Sequence, residues 1–184
     1  MNEPTCVDSH DVALGRDYDG QNCSLARALE VVGERWTILV LRDVFFGVRR
    51  FTDLRAHLDI PRAVLTDRLS RLVDEGVLRR GEYQRGRYEY TLTEHGEALW
   101  PTLFALSQWG ERHSSPDGRR RIFSHAACRE DLATNGVCPG CGEIPPAGEL
   151  EIRPGPGVRH DRTDPVSVAL RAPHRLLTPL LADA

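Results

Sequence analysis

Four residues in the last third of the chain have the types and the spacing of metal ligands. His125 is followed by Cys128 and, after nine intervening residues, by the close pair Cys138 and Cys141. Two close pairs of nitrogen and sulfur donors joined by a short loop can supply the four tetrahedral ligands that Zn²⁺ prefers. A site with four protein ligands leaves no open position for catalysis, so the pattern predicts structural zinc.

Two other interpretations of these residues stay open. Cys138 and Cys141 form a Cys-x-x-Cys pair that could be redox-active, and the loop could be a knuckle held by packing without metal. Thiol–disulfide exchange is the one enzymatic activity that these residue patterns suggest, because the sequence has no Gly-rich phosphate loop, no HExxH motif and no serine elbow. We therefore expect a protein that is not an enzyme.

Cys23 stands just before, or in, the first turn of a predicted helix that ends at Gly33. A helix N-terminus lowers the pKa of a thiol by stabilising the thiolate, which is the reactive form. Cys23 is therefore a candidate sensor of oxidants or electrophiles. The alternative is a small apolar side chain buried at a subunit interface, a common role of free cysteine.

The stretch IPRAVLTDRLSRLVDEGVLRR, residues 60–80, combines a buried stripe with a polar face. Leu65, Leu69, Leu72 and Val73 recur at helical spacing, and Gly76 ends the helix before a short apolar strand. The remaining faces are well supplied with groups that can contact DNA. These are Arg62, Ala63, Thr66, Asp67, Ser70 and Arg71.

The elements around this helix are predicted in the order of a winged helix-turn-helix. A first helix that Ser24 can cap is followed by the buried helix ERWTILVLRDVFFG and the short helix RFTDLRAHL. After the polar-faced helix, VLRR and RYEYTLT are typical of two strands joined by the tip GEYQRG. Thr93 can cap a final helical pattern that Pro101 should kink or split. The fold class is α+β, mainly α.

The chain divides into five predicted segments. They are an acidic, disordered tail over residues 1–22, a winged helix-turn-helix domain over 23–113, a linker over 114–124, a small zinc-ribbon-like Cys/His module over 125–157 and a Pro-containing tail over 158–184. The pattern does not decide whether the last segment packs on the rest of the protein.

Charge is distributed unevenly along a chain whose net charge is −3. Residues 1–22 carry five acids and one arginine, a net of −4, whereas residues 49–87 carry ten arginines and six acids, a net of +4. This asymmetry is compatible with a basic DNA-facing module behind an acidic tail. The sequence has neither an apolar run of the roughly 18 residues that a membrane helix needs nor a signal-like start. We therefore expect a cytoplasmic location and no membrane partner.

From Cys23 to about Gly110 the sequence resembles the HxlR-type winged-helix transcriptional regulators of prokaryotes. The matching pieces are CSLARALEVVGERWTILVLRDVFFGVRRFTDL, IPRAVLTDRLSRLVDEGVL and RYEYTLTEHG. The resemblance implies a homodimer, joined through the first and last helices, that binds a pseudo-palindromic operator. It also implies that there is no dedicated ligand-binding domain, and several members sense oxidants or electrophiles through a cysteine at the position of Cys23.

The wing departs from the family pattern. Members often carry a proline pair before the second strand, whereas this chain has Gln84-Arg85-Gly86-Arg87 there. In helix-turn-helix docking, the N-terminal turns of the second helix enter the major groove. The predicted base-reading residues are Arg62, Ala63, Thr66, Asp67 and Ser70, flanked by Arg71. Arg85 and Arg87 should reach phosphate or the minor groove, and Arg49 and Arg50 should contact phosphate.

The expected function is that of a dimeric, sequence-specific DNA-binding regulator, a repressor, that responds to oxidants or electrophiles through Cys23. The alternative is a protein-interaction adaptor in which the winged helix and the zinc module bind a protein partner. In that case the wing arginines would meet acidic side chains instead of phosphates.

Overall fold

The structure, a computed structural model, describes Tyr18 and residues 20–181. The predicted disordered tail over residues 1–22 therefore lies largely outside the described residues. Eight elements build a winged helix-turn-helix, in the predicted order. They are α1 (Ser24–Val32), α2 (Arg35–Phe45), α3 (Phe51–Leu58), α4 (Arg62–Asp74), β1 (Leu78–Gln84), β2 (Arg87–Leu92), α5 (Glu94–Glu97) and α6 (Trp100–Ser114).

Local signals explain most of these boundaries. The stripe of α4 is confirmed, because Leu65, Leu69 and Leu72 are buried. The final helical pattern is split in two, as Pro101 predicted, and the hydroxyl of Thr93 accepts a hydrogen bond from the Gly96 amide at 3.2 Å. The prediction of a Ser24 cap is wrong, because Cys23 is the N-cap residue and Ser24 is already the first residue of α1.

A buried carboxylate ties α2 to α3. Asp43 is fully buried on α2, and its side chain lies 2.7 Å from Nδ1 of His57 on α3 and 2.7 Å from the Arg42 guanidinium. A buried charge is tolerated only when it is paired and hydrogen-bonded, and both conditions are met here. These contacts hold α3 at a defined angle beside α2, and α3 in turn positions the start of α4.

The C-terminal third forms a second sheet. The elements are β3 (Arg121–His125), β4 (Glu130–Asp131), β5 (Leu150–Pro154), α7 (Pro165–Ala169) and β6 (His174–Arg175). The four strands are antiparallel in the order β4-β3-β5-β6. The linker prediction for residues 114–124 is therefore wrong for its last four residues, which lie in β3. The sheet also reaches beyond the predicted module over 125–157, because β6 belongs to the segment 158–184.

One hydrophobic core joins the two sheets and the helices. The ring of Trp100 lies 5.2 Å from that of Phe45 and 5.3 Å from that of Phe123, centroid to centroid, and Phe104 lies 5.6 Å from Phe123. Because Phe123 is a residue of β3, the C-terminal sheet shares its core with the winged helix. The Cys/His module is thus part of the same packed body and not a separate appendage.

The end of the described chain folds back over α2. We call residues 176–181 the C-terminal strap. The Leu177 amide donates to the Phe45 carbonyl at 2.9 Å, and the Leu180 amide donates to the Gly47 carbonyl at 3.0 Å. These contacts answer the question that the sequence left open about the segment 158–184 as far as the structure describes it, which is to residue 181. Among the described residues, none of the helices has the length and apolarity needed to cross a membrane.

Candidate nucleic-acid interface and metal centre

The first two turns of α4 present three predicted DNA-contacting residues at the surface. Arg62, Ala63 and Thr66 are exposed. The Thr66 hydroxyl donates to the Arg62 carbonyl at 2.9 Å, which fixes its rotamer while its oxygen can still accept. The exposed N-terminal turns therefore carry a guanidinium, a methyl group and a hydroxyl, which are groups that read base edges in a major groove.

Further along α4 the polar residues also contact one another. Asp67 is 2.7 Å from the Arg68 guanidinium, and its side chain stays exposed. The Ser70 hydroxyl lies 3.5 Å from the Asp74 carboxylate. Both predicted residues are on the solvent-facing side of the helix, where they remain accessible to a ligand that approaches this face.

A groove of about 750 Å³ separates α4 from the wing, and four arginines line it. They are Arg50, Arg62, Arg80 and Arg87. Aromatic rings orient three of the guanidinium groups: Arg80 lies 3.6 Å from the Tyr88 ring centroid, Arg50 lies 4.8 Å from that of Tyr83, and Arg62 lies 5.4 Å from that of Phe51. Such cation–π contacts hold a flexible, charged side chain in place.

Sequence reasoning missed Arg80. Its strand was predicted correctly as far as residue 80, but the pairing of β1 with β2 places Arg80 opposite Tyr90, on the face that carries Tyr88. The alternation of Tyr88 and Tyr90 in the sequence indicated that face. Only the strand register shows that Arg80 shares it.

The wing is longer than predicted. β1 continues to Gln84, so that the tip GEYQRG shrinks to Arg85 and Gly86. Gly86 has φ +72°, a left-handed conformation that favours glycine, and its amide donates to the Glu82 carboxylate at 2.5 Å. Arg85 and Arg87 stand on either side of Gly86, and both are exposed. The tip is therefore built to present two cations to solvent.

Two of the predicted DNA-contacting arginines have other partners. Arg49 donates to the Leu177 carbonyl of the strap at 2.9 Å and lies 3.8 Å from the Glu89 carboxylate. Arg71 donates to the Glu30 carbonyl of α1 at 2.8 Å. Both guanidinium groups therefore link separate segments of the chain, and the phosphate role of Arg49 and the DNA role of Arg71 stay predictions.

Cys23 is an exposed thiol at the start of α1. The backbone amides of Ala26 and Leu25 lower the pKa of Cys23, and the small effect of burial opposes them. The thiolate is favoured for the reason expected at a helix N-terminus. The side chain thus combines accessibility with an increased thiolate fraction.

The structure brings the four predicted metal ligands together. One ligand atom from each of His125, Cys128, Cys138 and Cys141 lies within 4.8 Å of all the others. His125 comes from the end of β3, Cys128 from the following turn, and the other two from the loop before β5. His125 and Cys138 are buried, whereas Cys141 lies at the surface.

The thiols of this cluster differ in acidity. Burial raises the pKa of the Cys128 thiol to about 11, together with hydrogen bonds to Cys141 and Cys138. Burial also opposes ionisation of Cys138, but the amides of Cys141 and Gly140 and the imidazole of His125 hold its pKa at about 7. Backbone amides that stabilise a thiolate are what a metal-binding knuckle requires.

A fifth residue belongs to the cluster. Nε2 of His125 lies 3.2 Å from the carboxylate of Glu149, and Nδ1 of the same ring lies 3.5 Å from Sγ of Cys141. Glu149 precedes β5 in a short 3-10 turn, and no spacing rule in the sequence indicates it. The pairing of β3 with β5 brings the two residues together, since His125 lies opposite Leu150.

These features define a winged helix-turn-helix protein with a basic groove between α4 and the wing. Residues 31–117 match the model of the HxlR-like helix-turn-helix family. The chain is 42% identical over 149 residues to the HTH-type transcriptional regulator Rv3095 of Mycobacterium tuberculosis (strain H37Rv). The aligned residues cover 79% of this chain and 93% of Rv3095. The chain belongs to the HxlR-like family of transcriptional regulators.

Other similar proteins agree with this assignment. The HTH-type transcriptional regulator YdeP of Bacillus subtilis (strain 168) is 32% identical over 106 residues, which cover 54% of this chain and 83% of that protein. The crystal structure of PA1607, a candidate transcription factor, matches with a TM-score of 0.51 and 34% identity over 74% of this chain and 87% of that chain. The first is named as a transcriptional regulator and the second as a candidate transcription factor.

Proposed function

We propose that this protein is a cytoplasmic, homodimeric repressor that binds a pseudo-palindromic operator. The observation that carries the proposal is the groove between α4 and the wing, lined by four arginines of which three stack on aromatic rings. α4 enters the major groove with its N-terminal turns, and Arg85 and Arg87 of the wing reach phosphate or the minor groove. Arg50 and Arg80 sit between them and contact phosphates. A dimer bound across a promoter would block access to it, which is the basis for proposing repression.

Exposed apolar side chains on α1 and α6, the first and last helices of the winged helix-turn-helix, support the dimer. Leu25 and Leu29 on α1 are 66% and 40% exposed, and Leu106 and Trp109 on α6 are 50% and 61% exposed. Large exposed apolar groups on two helices are typical of a surface that is covered by a partner. A second copy of this chain is the occupant that a two-fold operator requires.

The first test is a fluorescence-anisotropy titration against the DNA upstream of the protein's own gene, at several salt concentrations. We expect tight, selective binding with two chains per operator and a logarithmic affinity that falls linearly with the logarithm of salt. Arg85→Ala should weaken binding to all sequences alike and reduce the salt slope by about one unit, because one phosphate contact is lost. The matched control is Arg159→Ala. This substitution removes an exposed arginine of the C-terminal third, far along the chain from the wing, that pairs with Asp117.

An unchanged slope for Arg85→Ala would contradict the phosphate contact. The absence of selective binding to any genomic DNA, together with a shallow salt dependence, would favour the adaptor. In that case the wing arginines would bind acidic side chains of a protein partner.

We further propose that oxidation or alkylation of Cys23 releases the DNA. The accessible thiol and its lowered pKa support this role, and the position of Cys23 at the start of α1 would place a modified side chain beside the proposed dimer surface. A change there can alter the spacing of the two recognition helices without touching either of them.

Diamide, which oxidises two thiols to one disulfide and is itself reduced to the hydrazine, should link Cys23 to a second thiol and thereby weaken operator binding by the wild-type protein but not by the Cys23→Ser variant. In addition, the alkylation rate of Cys23 should reach half of its maximum at a lower pH than the value of about 8.5 that is typical of a free thiol, since the lowered pKa yields thiolate at lower pH. The same thiol in urea-unfolded protein is the control. If the Cys23→Ser protein lost DNA affinity in diamide as readily as wild type, Cys23 would not be the sensor. The cysteines of the C-terminal cluster would then be the next candidates.

A further inference from the structure

We propose that His125, Cys128, Cys138 and Cys141 hold one structural zinc ion and that Glu149 positions the histidine ligand through its second ring nitrogen. The proposal does not depend on DNA binding, because it stands on the geometry of these five residues at one end of the C-terminal sheet.

The separation of the ligand atoms fits a tetrahedral zinc site. With Zn–S of about 2.3 Å and Zn–N of about 2.0–2.1 Å, tetrahedral angles place a nitrogen and a sulfur ligand about 3.5 Å apart and two sulfurs about 3.8 Å apart. The observed distance from Nδ1 of His125 to Sγ of Cys141 is 3.5 Å. All four ligand atoms lie within 4.8 Å of one another, so small side-chain adjustments close the site.

The orientation of His125 also fits. Nδ1 lies 3.5 Å from Sγ of Cys141, on the side of the cluster, and Nε2 faces the Glu149 carboxylate at 3.2 Å. A metal-ligating histidine commonly donates its other N–H to a carboxylate, which fixes the tautomer and strengthens the ligand. With the proton on Nε2, the Nδ1 lone pair is directed at the metal position. Glu149 is therefore a positioning residue and not a ligand.

The loop around the last two cysteines has the backbone of a metal knuckle. The Gly142 amide donates to the Cys138 carbonyl at 2.8 Å, and Gly142 has φ +77°, where glycine is favoured. A β-carbon at Gly140 would lie 3.1 Å from the Cys128 β-carbon, so this glycine lets the loop approach the turn that carries Cys128. Gly140 therefore eases the approach of the two halves of the site, whereas Gly142 matters for its backbone conformation, since a β-carbon there would meet no atom within 4 Å.

Zinc would lock one end of the C-terminal sheet. The site joins the end of β3 to the loop before β5, and Glu149 lies directly before β5. In the middle of the same pair of strands, Phe123 and Ile152 lie opposite each other and are buried in the common core. Since β6 leads directly into the C-terminal strap over α2, the metal stabilises the surface on which the winged helix rests.

The test measures metal directly in the full-length protein. We expect about one zinc per chain by elemental analysis after dialysis. After replacement by Co²⁺ we expect intense visible d–d bands together with near-ultraviolet thiolate-to-cobalt charge transfer, the signature of a tetrahedral thiolate site. Cys138→Ser should lose the metal. Protein without zinc that also shows no such cobalt spectrum would overturn the site, and so would a disulfide between Cys138 and Cys141 in freshly purified protein.

Glu149→Gln tests the positioning role in a protein that keeps all four ligands. In competition with a chelator, we expect zinc affinity to fall 10- to 100-fold, as is typical when such an outer partner of a ligand is removed. Glu143→Gln is the matched control, because it removes the same charge from an exposed residue of the same loop. Equal affinities of the two variants would overturn the role of Glu149 while leaving the four-ligand site intact.

Discussion

Gly47→Ala should lower the free energy of unfolding by about 3 kcal/mol or more, whereas Gly76→Ala should lower it by only about 1 kcal/mol. Both glycines have left-handed backbone conformations, with φ +86° at Gly47 and φ +68° at Gly76. A residue with a β-carbon is strained at either position. The two substitutions therefore share the cost of backbone strain. The difference between their losses of unfolding free energy reports the effect of the atoms that surround each glycine.

The surroundings of the two positions are opposite. A β-carbon at Gly47 would overlap the carbonyl oxygen of Thr178 in the C-terminal strap, and it would also crowd the Leu180 amide. At Gly76 a β-carbon would meet no atom within 4 Å. Alanine at position 47 must push the strap away, which breaks the hydrogen bond between the Leu180 amide and the Gly47 carbonyl and exposes the apolar residues under it.

Urea unfolding followed by tryptophan fluorescence measures both losses, and an unchanged m-value shows that the comparison concerns stability alone. Gly47→Ala should also make the strap more accessible to limited proteolysis, an effect that backbone strain by itself does not produce. Equal losses for the two variants would mean that the strap contributes nothing to the stability of the winged helix.

Arg62→Ala should reduce discrimination between the operator and random DNA by about 1–3 kcal/mol, which corresponds to roughly 5- to 150-fold. Arg62 is the first residue of α4 and lies beside the groove, with its guanidinium over the Phe51 ring. A bidentate contact from this position to a guanine is specific for one base pair. Its loss therefore affects the operator far more than random sequence.

The measurement is the ratio of the two dissociation constants at one salt concentration. Arg85→Ala is the informative comparison, because a phosphate contact changes both constants by the same factor and leaves the ratio unchanged. Phe51→Leu removes the ring under Arg62 without removing the charge, and it should produce a smaller loss of the same kind. If Arg62→Ala weakened binding to both DNAs equally, Arg62 would be a phosphate contact and not a base-reading residue.

Local patterns predicted most of the elements. The leucine stripe of α4, the Thr93 cap and the break near Pro101 are all signals within a few residues, and each has its expected counterpart in the structure. The Ser24 cap was displaced by one residue, because the helix begins at Ser24 and leaves Cys23 in the N-cap position. The wing tip was predicted too long, since polar residues such as Glu82 and Gln84 can extend a hairpin that is exposed on one face.

The candidate sites were predictable only in part. Spacing along the chain brought out the four cluster residues, because metal ligands occur in close pairs on turns. It could not bring out Glu149, which lies 24 residues from His125 and meets it through strand pairing. Nor could it indicate that the Arg49 guanidinium, predicted to contact phosphate, donates to a carbonyl 128 residues away along the chain.

The sequence by itself determined the order of helices and strands in the winged helix-turn-helix, the polar face of α4 and the residue types of the Cys/His cluster. These depend on periodicity and spacing over short stretches, where the backbone geometry of one element relates the residues. Only the tertiary structure decided which arginines line the groove, that Glu149 faces His125 and that the strap covers Gly47. Each of these depends on strand register or on the packing of distant segments. Such contacts join residues that are far apart in the chain, so no periodic pattern in the sequence indicates them.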